Sequence, residues 1–185
     1  DSTPRKPKGA AETIGNKRLS PATLMMGHGY DPVLSEGALK QPIFLTSIFA
    51  FESAAAGKRF FEGIIGRRPG GGDGLVYSRF NGPNQEILED RLSIWDEAED
   101  ALVFSSGMSA IGTMLLAHVS QNDVIVHSGP LYAATETFIA RILSRFGIGF
   151  VDYPAEAGRV EIDAALARAK ALAAEKGGRV AMVYL

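Results

Sequence analysis

From residue 84 onward the hydrophobic positions fall into short, bounded runs separated by stretches with helical spacing. Leu88, Leu92 and Trp95 recur at i, i+4 and i+7, one stripe of a helix, while Glu86, Glu89, Asp90 and Arg91 occupy the rest of its surface. Ala101-Leu102-Val103-Phe104 is an apolar run of strand length, and Ser105-Ser106-Gly107 leads from it into a helix over Met108 to about Val119. Asn122-Asp123 turns into Val124-Ile125-Val126, a buried strand; a helix through Thr135 to Phe146 and a strand near Gly149 to Tyr153 follow. Asp163 is placed to cap the alanine-rich helix DAALARAKALAAEK, which Gly177-Gly178 ends, and Val180 to Leu185 is a last apolar strand. Alternating strands and helices, with strands apolar on both faces, predict an α/β fold: a mostly parallel sheet covered by helices.

Before residue 84 the pattern is looser. Residues 1–20 read as a flexible polar tail carrying Arg5, Lys6, Lys8 and Lys17 among Pro4, Pro7 and Gly9. Residues 21–83 read as an extended arm and loop, with short apolar runs such as Ile43-Phe44-Leu45. A short helix is predicted over 53–66 around Phe60, Phe61, Ile64 and Ile65, and a breaker-rich loop, RRPGGGDG, over 67–74. The expected organisation is thus tail 1–20, arm 21–83 and α/β domain 84–185. Open α/β sheets carry their ligands on loops beyond the carboxyl ends of the strands. The sequence ends at such a strand end, so the domain reads as incomplete.

Composition narrows the function. The 185 residues are 46% hydrophobic and 22% charged, enough to bury a core. A net charge of −2 gives no basic field for nucleic acid or anionic lipid, and no run reaches the ~18 apolar residues of a membrane span. There are no cysteines, which excludes disulfides and thiolate metal sites within these residues and is compatible with a reducing, cytoplasmic compartment. His28, His118 and His127 are scattered without metal-spaced carboxylates, so no metal site is expected. No G-x-x-x-x-G-K-[ST] loop or G-x-S-x-G elbow occurs, and the glycines at 70–74 do not lead directly into a helix as a dinucleotide fingerprint requires.

Three segments carry candidate chemistry. In Val103-Phe104-Ser105-Ser106-Gly107-Met108-Ser109-Ala110 a strand-like run enters a helix through small residues. Unpaired amides and the positive end of the helix dipole make an anion site there, Gly107 permits close approach and a serine hydroxyl adds a donor. Taken alone, the same residues read more readily as a plain capped helix start, since many α/β turns look alike. In Tyr77-Ser78-Arg79-Phe80-Asn81-Gly82-Pro83-Asn84 the arginine offers a planar fork for phosphate oxygens, the tyrosine a hydroxyl two residues away, and Asn84 a possible cap for the next helix; in isolation such a segment is more often a surface turn with an incidental arginine. In Ser128-Gly129-Pro130-Leu131-Tyr132-Ala133-Ala134-Thr135 the tyrosine can lie flat on a bound ring or simply sit at the domain edge.

Taken together, the order and spacing of YSRFNGPN, DRLSIWDEAEDALVFSSGMSAI and HSGPLYAATETF, with the arm GALKQPIFLTSIFAFES, resemble the cystathionine gamma-synthase family, the Cys/Met-metabolism pyridoxal-phosphate enzymes. The resemblance runs from about Thr23 to Leu185. It implies a fold-type I aminotransferase-like large domain, here incomplete, with pyridoxal 5′-phosphate as cofactor. It further implies that Ser106, Gly107 and Met108 bind the cofactor phosphate and that Tyr132 stacks on the pyridine ring and assists catalysis. Tyr77 and Arg79 would reach into a neighbouring subunit's site to hold its phosphate, making a dimer the smallest working unit and a homotetramer the usual assembly. The implied substrate is a small amino acid with a gamma leaving group, undergoing gamma-replacement or gamma-elimination in sulfur amino-acid metabolism. Two features depart from the family pattern: the glycine loop before Tyr77 is longer and richer, and Phe80 stands where leucine is more common. The family's cofactor-binding lysine lies beyond the last predicted strand, so the segment alone is expected to be inactive. A nucleotide-binding α/β enzyme and a non-catalytic fragment are the alternatives.

Overall fold

The computed structural model describes residues 13–67, 69 and 74–185; most of the expected tail and residues 70–73 of the glycine loop lie outside the described residues. The chain divides into two compact units, one ending at Val103 and the other spanning Phe104–Leu185.

The second unit is a three-layer α/β sandwich. Its helices are α4 (Gly107–His118), α5 (Ala133–Thr137) and α6 (Arg159–Lys176), and its strands are β3 (Val124–Gly129), β4 (Gly149–Pro154) and β5 (Val180–Tyr184). The strands form a parallel sheet in the order β4-β3-β5, with Ile125 opposite Phe150 on one side and Met182 on the other. Successive strand residues face opposite sides of a sheet, and β3 uses both. Ile125 packs with Leu115, Val119, Ile139, Leu143 and Ile148, whereas Val124 and Val126 pack with Tyr153 and the stripe Ala165, Ala169 and Ala173 of α6. The i, i+4, i+8 spacing of those alanines puts three methyl groups on one face, and their small size lets the helix lie close against the sheet. This is the parallel sheet and helical cover expected from the sequence.

Three details differ from the sequence-based expectation. Ala101–Phe104 forms no strand: the amide of Val103 donates to Glu89 Oε1 at 3.0 Å, and Leu102 is exposed. Four apolar residues without a paired edge do not specify a strand. The helix expected over 135–146 starts at Ala133 and changes pitch twice, from α to π over Phe138–Ile142 and to 3-10 over Leu143–Phe146. Nor does Asp163 cap α6. The cap position is Gly158, and Asp163 lies one turn in, 3.6 Å from Arg159 Nε, while Gly177 closes the helix with φ 70° as expected.

In the first unit β1 (Thr13–Ile14) and β2 (Lys17–Arg18) form a small hairpin, followed by α1 (Pro21–Leu24), a 3-10 turn at Pro32–Ser35, an extended stretch, α2 (Ala54–Ile64) and α3 (Pro83–Trp95). Helix α3 is where expected, but its buried face is not the Leu88, Leu92, Trp95 stripe. Ile87 is buried, while Leu88 and Trp95 are exposed. The polar side turns inward because it has partners there. Arg91 donates from Nε to the His28 carbonyl at 3.1 Å and from Nη2 to Gln41 Oε1 at 2.8 Å, and an added Cβ on Gly29 (φ 80°) would meet the Asp90 side chain.

Candidate functional site

At the start of α4, Ser106 adopts an extended conformation (φ −156°, ψ 155°) and its hydroxyl accepts from the Ser109 amide at 3.1 Å. The small residues of this turn place the cap, and the carbonyl of Ser106 accepts from Ala110 to begin the helix. That leaves the amides of Gly107 and Met108 without a protein acceptor among the described residues. A Cβ added to Gly107 would meet nothing within 4 Å, and the first turn carries no acidic side chain. Two free amides, an open approach over a glycine and the positive end of a 12-residue helix fit a phosphate group.

Tyr132 occupies the cap position of α5, just beyond β3, with its side chain 69% exposed. Its turn is tied down by Glu136, whose Oε1 accepts the Leu131 amide at 2.8 Å. Behind it, the buried Thr135 donates from Oγ1 to Met108 Sδ at 3.8 Å. Met108, Ala133, Ala134, Thr137, Phe138 and Ile142 line a shallow, open hollow of about 430 Å³. The start of α4 and the helix that follows Tyr132 therefore meet at one place, although Tyr132 itself is not among the lining residues. Glu136 and Thr135 were not singled out from the sequence. Nothing in the spacing shows that a side chain will fold back on the turn before its own helix.

Tyr77 and Arg79 lie in the first unit, in the irregular segment before α3. Both are exposed, and the guanidinium carbon of Arg79 stands 4.8 Å from the centre of the Phe80 ring and 5.6 Å from that of Tyr77. No carboxylate pairs with Arg79 among the described residues. The aromatic rings support its flat face and leave the N–H fork available. Asn84 does not cap α3: Gly82 holds the cap position, and the Asn84 carboxamide instead binds the backbone of Phe44, accepting from its amide at 3.1 Å and donating to its carbonyl at 2.9 Å.

Two of the three histidines make local contacts. His118 Nδ1 lies 2.9 Å from the Met114 carbonyl, and His127 Nδ1 lies 2.9 Å from the Ser128 carbonyl with its ring stacked on Phe150. Among the described residues no group of three or more His, Cys, Asp or Glu is disposed to hold a metal, and no helix is long and apolar enough to cross a membrane.

Comparison with known proteins adds an independent line. The chain is 36% identical over 112 residues to an L-methionine gamma-lyase of Porphyromonas gingivalis, covering 60% of this chain and 26% of the relative. It is 32% identical over 133 residues to an L-methionine gamma-lyase of Pseudomonas putida (72% and 32%), and 34% identical over 119 residues to an O-succinylhomoserine sulfhydrylase of Pseudomonas aeruginosa (64% and 28%). The chain thus spans about a quarter to a third of the length of these relatives. Among solved structures, an O-acetylhomoserine (thiol)-lyase of Campylobacter jejuni carrying a pyridoxyl-lysine monophosphate matches with a TM-score of 0.66 at 19% identity, over 90% of this chain and 44% of that one. MetB of Corynebacterium glutamicum matches with 0.64 at 22%, over 80% and 34%. These likenesses establish the fold. A family model, the Cys/Met metabolism PLP-dependent enzymes, matches residues 22–175, and the chain belongs to that family.

Proposed function

We propose that this chain supplies the phosphate cradle and part of the ring contacts of an enzyme acting on an amino acid with a gamma leaving group, by gamma-elimination or gamma-replacement. The observation that carries the reading is the pair of unfilled amides at Gly107 and Met108 beside an open glycine approach. When bound, pyridoxal 5′-phosphate supplies an electron sink for charge developing at the substrate's α carbon. The chain's residues provide the geometry around it. Gly107 and Met108 donate backbone N–H groups to the phosphate, and Ser106 holds the helix start in shape. Tyr132, exposed at the mouth of the second unit's sheet, offers a flat ring for stacking and a hydroxyl for proton transfer. Arg79, rigidified by Phe80 and Tyr77, contributes charge to the phosphate in a neighbouring subunit, with the Tyr77 hydroxyl as a second donor.

In this reading the arm, residues 21–83, serves a partner chain, so the smallest working unit is a dimer and a homotetramer is the expected assembly, in the cytoplasm. The exposure of Leu39, Ile43, Leu45 and Ile48 along the arm supports association with another copy, since runs of exposed large apolar residues mark interaction surfaces. Whether the product is that of a lyase, a sulfhydrylase or a cystathionine gamma-synthase is set by groups around the substrate, and the relatives include both of the first two.

The test is reconstitution of the full-length protein with pyridoxal phosphate. Arg79→Ala is expected to weaken cofactor retention by ~1–3 kcal/mol, the scale of a hydrogen bond to a charged group. Equal retention by the variant and the parent oligomer would count against the assignment of Arg79.

A further inference from the structure

We infer that Asn84 is a positioning residue that locks residues 44–49 of the arm to the segment bearing Tyr77 and Arg79, so that this stretch holds the anion-binding hook in place; this rests on the reading that Arg79 takes the cofactor phosphate. Tyr77 and Arg79 lie in neither a helix nor a regular strand. Its backbone is held locally by a turn, in which the Phe80 amide donates to the Tyr77 carbonyl at 2.9 Å, and from outside by residues 44–49 at its two ends. Phe49 donates its amide to the Val76 carbonyl at 3.1 Å, and Ser78 donates its amide to the Ser47 carbonyl at 2.9 Å and its hydroxyl to the Thr46 carbonyl at 3.3 Å. Ile48 and Tyr77 stand opposite each other in an antiparallel bridge. Each bond pulls on the residues that flank Arg79.

Asn84 closes the far end of this lattice. Its carboxamide offers one acceptor and one donor in the arrangement of a peptide unit, and Phe44 uses both, at 3.1 and 2.9 Å. The side chain thus imitates one rung of a strand ladder at a point where α3 can no longer supply backbone partners. Between the two ends of the lattice sits Arg79, free of carboxylates among the described residues and backed by aromatic faces. Its fork is held in one direction only if residues 76–84 stay registered with residues 44–49.

The chemistry of the position supplies a discriminating variant. Asn84 is exposed and lies in the first turn of α3, so its loss leaves no cavity. Asn84→Asp keeps the acceptor for the Phe44 amide but sets an anionic oxygen against the Phe44 carbonyl. The same charge favours the helix, because anions near a helix N-terminus are stabilising. A residue that mattered only for α3 would therefore tolerate aspartate, whereas a latch would not.

The experiment titrates the full-length apoprotein with pyridoxal phosphate in the parent, Asn84→Ala, Asn84→Asp, Arg79→Ala and the two double variants. Amide exchange at Phe44 and Ser78 and apoprotein melting are measured alongside. Each Asn84 variant is expected to weaken cofactor affinity about 3- to 10-fold, the range for losing neutral hydrogen bonds. Exchange at Phe44 should quicken, and neither Asn84 variant should weaken affinity further once Arg79 is alanine. An equal loss with and without Arg79, or parent-like affinity in both Asn84 variants while Arg79→Ala weakens binding, would overturn the latch and leave the reading of Arg79 intact. Parent-like affinity in Arg79→Ala itself would overturn both.

Discussion

In the Phe104–Leu185 unit, Leu115, Val124, Ile125, Val126, Ile139 and Leu143 are each no more than 1% exposed, and they pack in two layers on either side of one strand. The unit ending at Val103 buries few large apolar side chains among its described residues, Leu24, Tyr30, Phe60 and Ile87, and leaves Leu39, Ile43, Leu45 and Ile48 in the open. It is joined instead by side chains reaching backbone groups across long sequence separations, as Asn84 does with Phe44 and Arg91 with His28. Burying a large apolar side chain contributes about 1.5–3 kcal/mol, against about 0.5–1.5 kcal/mol net for a neutral hydrogen bond. The sheet unit is therefore held by many strong, non-directional contacts and the arm unit by fewer, weaker and directional ones. A platform for a cofactor benefits from the first kind. A segment that must present a hook in one orientation benefits from the second.

The comparison can be broken most forcefully at Leu115. Leu115→Ala should cost about 2–5 kcal/mol, the range for emptying a packed core position, and should quicken amide exchange throughout β3 while sparing the Phe44 and Ser78 amides. Uniform quickening in both units would show that they do not differ in how they are held. A smaller loss is expected from Gly178→Ala. The added Cβ would collide with the Asn122 carbonyl and the Asp123 amide, backbone groups that cannot swing aside, so about 1–3 kcal/mol is expected from a thermal melt. A melting curve superimposable on the parent's would remove the claim of close backbone approach there. Smallest of all is Leu45→Ser, at a side chain 95% exposed, which should shift the stability of the arm unit by no more than about 0.5 kcal/mol. Its effect on oligomer dissociation would sharpen the contrast, because a residue idle within its own chain gains a role only at an interface.

The same contrast explains what could be read from the sequence. Strands β3, β4 and β5 and helices α4 and α6 follow from local patterning: alternating or continuous apolar runs, bounded by Asn122-Asp123 and by Gly177-Gly178, specify them without reference to distant residues. The start of α4 at Ser106–Gly107 is legible for the same reason, since a cap acts over three residues. The buried side of α3 was not. Counting apolar positions favours Leu88, Leu92 and Trp95, but Arg91 and Asp90 turn inward because partners some 50 to 60 residues earlier, Gln41 and His28 for Arg91, accept from the guanidinium. Asn84 belongs with them. Its side chain looks like a helix cap in sequence and becomes a bridge only because the chain returns to it from 40 residues away. The run Ala101–Phe104 fails for the opposite reason, having strand composition but no neighbour to pair with.

The alanine stripe of α6 has a practical corollary. With Ala165, Ala169 and Ala173 alone meeting the sheet as fully enclosed positions, the opposite side of that helix is left to water at Ala164, Ala167 and Ala171. These are short, neutral side chains with no bond to lose, in a stretch of 185 residues that holds no thiol. One cysteine introduced at Ala167 would offer a single handle for a fluorophore or spin label, mounted on the sheet unit without altering any residue proposed to hold the phosphate.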